Sequence, residues 1–72
     1  MERYKNRNGD SGVSSFELGE DYIRIKFKGT IKLYKYSYRR AGQKHVERMK
    51  VLAENGSGLN EYVNRYVRDL YD

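Results

Sequence analysis

The chain has 72 residues, no cysteine and a net charge of +5, and 38% of its residues are hydrophobic. A chain of this length forms one small domain that buries about 60% of the surface its unfolded form exposes. The absence of cysteine excludes disulfides and thiolate metal sites, and it fits a reducing compartment. No stretch approaches the roughly 20 apolar residues that span a bilayer, and no apolar run follows the first residues. We therefore expect a cytoplasmic protein that does not bind membranes.

The first half of the chain predicts two strands after a polar lead-in. Residues 1–12 are polar and contain two glycines, which predicts a flexible lead-in before a single domain over residues 13–72. Residues 14–18 form the first predicted strand, and residues 19–21 have the composition of a turn. Residues 22–28 alternate between apolar and polar positions, a period of two that predicts the second strand. Its apolar face has Ile23, Ile25 and Phe27, and its polar face has Tyr22, Arg24, Lys26 and Lys28.

Gly29 supplies a hairpin turn, and residues 30–38 form the returning strand, whose register decides which tyrosines are exposed. With a loop of three residues, Tyr34 and Tyr36 join the exposed basic face of the preceding strand. With a loop of two residues, both tyrosines enter the core and Lys32 accompanies them. Because burying an unpaired ammonium group is costly, we favour the loop of three residues.

Two helices are predicted after residue 42. Residues 43–54 have apolar side chains at spacings of three and four, and Gly56 is suited to end that helix with a positive φ. Ser57 is the predicted N-cap of the last helix, which has an apolar, tyrosine-rich stripe. We therefore predict an α+β domain in which a three-stranded antiparallel meander is followed by two helices packed on one face. The predicted core consists of Ile23, Ile25, Phe27, Leu33, Met49, Leu52, Leu59, Val63, Tyr66 and Val67.

Several residues occur in the order and spacing of a known family. The first half of its pattern is matched by Ser14 or Ser15, Phe27, Gly29, Tyr34 and Tyr36, and the second half by Gly58, Asn60, Val63 and Tyr66. Over residues 14–66 the chain therefore resembles the KTSC domain, a small domain found alone and at the C-terminus of some lysyl-tRNA synthetases. It departs from the family in lacking Val-Pro after Tyr36 and in having Leu59 where the family has an aromatic residue. The resemblance implies this fold and an accessory role with nucleic acid, without an enzymatic activity.

Residues 22–46 contain eight lysines and arginines, four tyrosines and no acidic residue. Cations release counterions from a phosphate backbone, and aromatic rings stack on unpaired bases. The same pattern is also typical of a solvated sheet face whose lysines prevent edge pairing. We expect binding of nucleic acid, RNA more than DNA, in single-stranded or structured form. The predicted interface consists of Arg24, Lys26, Lys32, Tyr34, Tyr36, Arg39, Arg40 and Lys44.

No residue set in the sequence predicts catalysis. His45 is the only histidine, and a metal site or an acid–base pair needs further converging groups. We therefore expect a binding module with no enzymatic activity, no cofactor and no metal. The alternative function is a protein–protein interaction module, an adaptor, inhibitor or homodimer, which binds an acidic protein surface or a second copy. Its candidate residues are Tyr62, Tyr66 and Tyr71 on the last helix.

Overall fold

Four antiparallel strands follow one another in chain order in the part of the chain that the structure, a computed structural model, describes: residues 1–7, 9 and 12–72. The strands are β1 (Glu2–Arg3), β2 (Val13–Leu18), β3 (Tyr22–Phe27) and β4 (Leu33–Ser37). The helical part consists of α1 (Gln43–Asn55), α2 (Leu59–Tyr62) and a π-helical turn over Val63–Val67 that continues α2. Helix α1 packs on β3 and β4, so the helices cover one face of the sheet.

The predicted α+β class, with an antiparallel sheet and two helices, is confirmed, but the sheet has one strand more than the predicted three. The additional strand β1 pairs with β2, with Glu2 opposite Phe16, and Tyr4 after it is buried in the core. Residues 2–4 therefore belong to the sheet and the core rather than to a flexible lead-in. Residues 8, 10 and 11 of the predicted lead-in lie outside the described residues.

Tyr4 connects the N-terminal segment to the start of the last helix. Its hydroxyl oxygen accepts a hydrogen bond of 3.2 Å from the backbone N–H of Leu59. The N-cap of helix α2 is Gly58 and not the predicted Ser57. Because glycine has no side chain, the N-cap residue itself does not cap the first N–H groups of the helix. Because the first N–H groups of a helix lack partners within the helix, the buried phenol of Tyr4 supplies the missing acceptor.

Replacing Tyr4 with phenylalanine is expected to lower the free energy of unfolding by about 1–2 kcal/mol. The ring still fills the core, but the Leu59 N–H is left without its acceptor. Urea denaturation followed by circular dichroism measures the change. Tyr66→Phe, at a half-exposed ring, is the matched control and is expected to leave the urea midpoint unchanged. Equal midpoints for the two variants would contradict the role of Tyr4.

The register of the β3–β4 hairpin places Tyr34 and Tyr36 on the core face. Tyr36 lies opposite Ile23 and Tyr34 opposite Ile25, and Tyr36 is 1% exposed. The favoured three-residue loop is therefore wrong, because residues 28–32 all lie in the connection between the strands. Lys32 remains exposed in that connection, so burying the tyrosines does not carry the cost that was expected.

The core is formed by side chains from both layers. Its fully buried members are Val13, Phe16, Ile23, Ile25, Tyr36, Val46, Met49, Leu59 and Val67. The predicted first helix is confirmed as α1, and it ends at Gly56, which has a φ of 80° and donates its N–H to carbonyl oxygens of the last turn. Of the predicted core residues, Leu33 is 46% exposed because the register turns it to the other face.

Tyr66 was also predicted in the core, but it is 51% exposed. The cause is the π-helical turn Val63–Val67, because the hydrogen bonds typical of such a turn reach five residues back and each residue rotates less about the axis than in an α-helix. Val63 and Val67 therefore both remain buried, while Tyr66 between them lies at the surface. The predicted stripe assumed the α-helical period throughout.

The C-terminal residues return to the free edge of β4. The N–H of Asp72 donates to the carbonyl oxygen of Lys35 at 2.7 Å, and the hydroxyl of Ser37 donates to the Asp72 carboxylate at 2.8 Å. The edge of the sheet is thus partly paired, which reduces its tendency to pair with other chains. Among the described residues, no helix combines the length and apolar character that a membrane crossing requires.

Candidate nucleic-acid interface

The sheet face opposite the helices has a cluster of cations around one aromatic ring. Ile23 and Ile25 are fully buried beneath the helices, so the alternating residues of β3 point away from the core. Lys35 of β4 lies opposite Arg24 in the register and joins the same face. We call this surface the outer sheet face, and it consists of Glu17, Tyr22, Arg24, Lys26 and Lys35.

Tyr22 lies between two of these cations. The guanidinium carbon of Arg24 is 5.1 Å from the centre of the Tyr22 ring, and the Lys35 ammonium is 4.9 Å from it. Both distances are within the range of cation–π attraction. Arg24 also contacts the Glu17 carboxylate at 2.9 Å, but both side chains are about 40% exposed, so the pair contributes little stability. The ring therefore holds two cations close together at a solvated surface.

The backbone of the β2–β3 turn determines where the Tyr22 ring lies. A Cβ atom at Gly19 would be 2.0 Å from Cε2 of Tyr22, so only glycine leaves room for the ring in this position. The ammonium of Lys50 on α1 donates to the carbonyl oxygens of Gly19 and Glu20, at 2.7 and 3.1 Å. Lys50 thereby connects the turn that contacts the Tyr22 ring to the helical layer.

The predicted interface residues are divided among several places in the structure. Arg24 and Lys26 lie on the outer sheet face, as predicted. Arg39 and Arg40 are exposed in the turn after β4, and Lys44 is exposed in the first turn of α1. The ammonium of Lys32 lies over the rings of Tyr34 and Tyr71, at 5.0 and 5.5 Å, and not with the cations of the outer sheet face.

Tyr34 and Tyr36 do not form the predicted stacking surface. The ring of Tyr34 makes edge-to-face contacts with Phe27 at 5.4 Å and with Tyr71 at 4.9 Å. Tyr36 contacts Tyr71 in the same manner at 6.4 Å. These tyrosines contribute to packing between the sheet and the C-terminal residues, so the prediction that they form an exposed interface is wrong. Ionisation of the Tyr36 hydroxyl also affects the stability of the fold at high pH.

Burial, followed by the neighbouring Tyr34 and Tyr71 hydroxyls, raises the pKa of Tyr36 to about 12. An unfolded tyrosine has a pKa of about 10, so above that pH the unfolded state loses its proton first. We expect the contribution of Tyr36 to stability to be fully present below pH about 10 and to be lost as the pH rises to about 12. Urea midpoints across this range measure the loss. Tyr36→Phe should show a smaller dependence on pH, and an unchanged dependence would contradict the assignment.

Two of the three tyrosines proposed for protein interaction lie together on the helical side. The rings of Tyr62 and Tyr66 are 4.7 Å apart. Nδ1 of His45 on α1 is 2.8 Å from the Tyr62 hydroxyl, and its ring stacks on Tyr66 at 6.0 Å. Tyr71 lies apart from this cluster, against Tyr34. The structure therefore groups His45 with Tyr62 and Tyr66, a contact between two helices that no sequence spacing reveals.

The predicted interface omitted three residues of the outer sheet face, Glu17, Tyr22 and Lys35. Tyr22 was detectable, because the period of two in β3 already places it with Arg24 and Lys26. Lys35 was not, because its face depends on the register of the hairpin. Where the structure describes the chain, no three His, Cys, Asp or Glu side chains converge as metal ligands.

Comparison with known proteins does not extend this description. No protein-family model, no curated protein and no solved structure matches the chain. The likeness to the KTSC domain therefore stays a prediction from the sequence. The function is therefore inferred from the geometry of the outer sheet face.

Proposed function

We propose that the chain is a non-enzymatic module that binds nucleic acid, RNA in preference to DNA, through its outer sheet face. The observation that supports the proposal is the pair of cations, Arg24 and Lys35, held over the Tyr22 ring. Arg24 and Lys26 are two residues apart on one strand, about 7 Å, and Arg24 and Lys35 are on neighbouring strands, about 5 Å apart. Such a grid of cations suits successive phosphates of an extended strand.

The positive surface extends beyond the sheet at one end. Tyr22 lies opposite Ser37, the last residue of β4, and the exposed residues Arg39 and Arg40 follow in the next turn. Cations therefore extend from Lys26 along the outer sheet face to this turn, with the carboxylates of Glu17 and Asp72 beside them. Polyanions are attracted to such a surface because each neutralised phosphate releases counterions.

The expected binding is mainly electrostatic. Tyr34 and Tyr36 are on the core face, and the ring of Tyr22 already has two cations over it. Stacking on bases, which typically contributes about 1–3 kcal/mol per base, is thus confined to Tyr22 among the tyrosines of β3 and β4. Affinity should depend strongly on salt and weakly on base sequence.

The direct test is titration of the unmodified protein with end-labelled single-stranded RNA and DNA of the same sequence, at low and at moderate salt. We expect binding at low salt, a linear fall of log K with log salt concentration, and tighter binding of RNA. Lack of binding to both oligonucleotides at low salt would exclude the proposed function. Equal affinities for RNA and DNA would be consistent with the proposed interface but would exclude the preference for RNA.

A further inference from the structure

A groove of about 360 Å³ lies between α1 and the last helix, on the helical side of the molecule. Its walls are formed by Arg48, Leu52, Gly58, Glu61, Tyr62, Arg65 and Tyr66. Leu52 is half-buried and Tyr66 is 51% exposed, so apolar surface is accessible inside it. The position of a Cβ at Gly58 has only Leu52 Cδ2 nearby, at 3.7 Å. The absence of a side chain at Gly58 thus leaves the Leu52 side chain accessible from the groove.

Two arginines, Arg48 and Arg65, and one glutamate, Glu61, give the groove an excess of positive charge. Arg48 makes no ion pair among the residues that the structure describes, and Arg65 is paired only loosely with Glu61, at 4.0 Å, both side chains being exposed. Exposed pairs of this kind contribute little and exchange readily. On α1, the carboxylate of Glu47, next to Arg48 in the sequence, is engaged by Lys50 and the Tyr38 hydroxyl. Two guanidinium groups are thus available to bind carboxylates.

A nucleobase or a second copy of the chain fits this groove poorly. The rings of Tyr62 and Tyr66 are tilted by 46° to each other, and His45 already stacks on Tyr66, so the tyrosines do not form a flat platform for a base. A second copy would bring together two chains that each have a net charge of +5. An acidic partner is attracted by the same charges.

We propose that the groove binds an acidic peptide segment of a partner protein, which inserts an aromatic or aliphatic side chain above Leu52. Carboxylates of the segment pair with Arg48 and Arg65, while Tyr62 and Tyr66 contact the inserted side chain. Tyrosine and arginine are the residues that most often provide the binding energy at protein interfaces. The proposal concerns a surface on the helical side and does not depend on nucleic-acid binding by the outer sheet face.

The probe is a short synthetic peptide of glutamates around a single tryptophan. The chain has no tryptophan, so a change in tryptophan fluorescence reports on the peptide alone. We expect saturable binding that is lost when alanine replaces the tryptophan or glutamine replaces the glutamates. Tyr66→Ala and Arg48→Ala should each weaken binding by about tenfold. Arg7→Ala, at an exposed arginine outside both the groove and the proposed nucleic-acid interface, is the matched control and should leave peptide binding unchanged.

Other outcomes would overturn the proposal. Failure of the unmodified protein to bind the peptide would do so, as would binding that Tyr66→Ala and Arg48→Ala leave unchanged in folded protein. If single-stranded RNA displaces the peptide and Arg48→Ala weakens RNA binding equally, the groove belongs to a nucleic-acid site. If sedimentation shows a dimer that dissociates in the Tyr66→Ala variant, the groove is occupied by a second copy of the chain.

Discussion

Replacing Tyr36 with alanine is expected to remove a large part of the free energy of unfolding. The side chain is 1% exposed, opposite Ile23 and in contact with Tyr71, and truncating a buried aromatic residue costs about 3–5 kcal/mol. At roughly 0.05–0.15 kcal/mol per residue, a chain of this length has a free energy of unfolding of about 4–11 kcal/mol. The melting temperature, followed by far-UV circular dichroism, should fall by more than about 10 °C.

Tyr66→Ala is the control for this prediction, because it removes the same atoms at a ring that is half exposed. Its melting temperature should change much less than that of Tyr36→Ala. A Tyr36→Ala protein that melts like the unmodified protein and has lost only RNA binding would contradict the register. Tyr36 would then lie on the outer sheet face, as the three-residue loop predicted.

Replacing Arg24, Lys26 and Lys35 together with alanine is expected to remove most of the affinity for nucleic acid at low salt. Each lost phosphate contact with a single strand should flatten the dependence of log K on log salt concentration by about 0.7, hence by about 2 for three contacts. The fold should persist, because the exposed Arg24–Glu17 pair contributes little. Fluorescence anisotropy at several salt concentrations measures the slope, and circular dichroism confirms folding.

The matched control removes three exposed cations from the helical side, in the variant Arg48/Arg65/Arg68→Ala. Both variants lower the net charge equally, so a difference between them reports on position rather than on charge. We expect the control to retain nearly the full salt slope. Equal losses in the two variants would mean that the overall charge of +5 attracts the polyanion, and that no particular face does.

Much of the fold could be predicted because the relevant signals are local. The alternation in residues 22–28 identifies β3, and the spacings of three and four in residues 43–54 identify α1. Gly56 was recognised as the end of α1 because a residue with positive φ is needed there. For the site, the same alternation placed Arg24 and Lys26 on one exposed face. In each case neighbouring residues contain the whole signal.

The remaining features depend on partners that are distant in sequence. Residues 33–37 carry tyrosines at even positions and Leu33 and Lys35 at odd ones, so both registers have large side chains to bury. The register observed is the one in which Tyr34 and Tyr36 contact Tyr71 and pack under the helices. Likewise Tyr4 looks isolated in a polar segment until Leu59 supplies a hydrogen-bond donor.

The sequence by itself determined the element types of β3 and α1, the α+β class and the segregation of positive charge into residues 22–46. Only the tertiary structure decided the hairpin register, the fourth strand, the π-helical turn that exposes Tyr66 and the meeting of Lys35 with Arg24 over Tyr22. The reason is physical. Backbone periodicity and charge are properties of adjacent residues, whereas register and helix winding follow from which arrangement buries the most apolar surface across the whole domain.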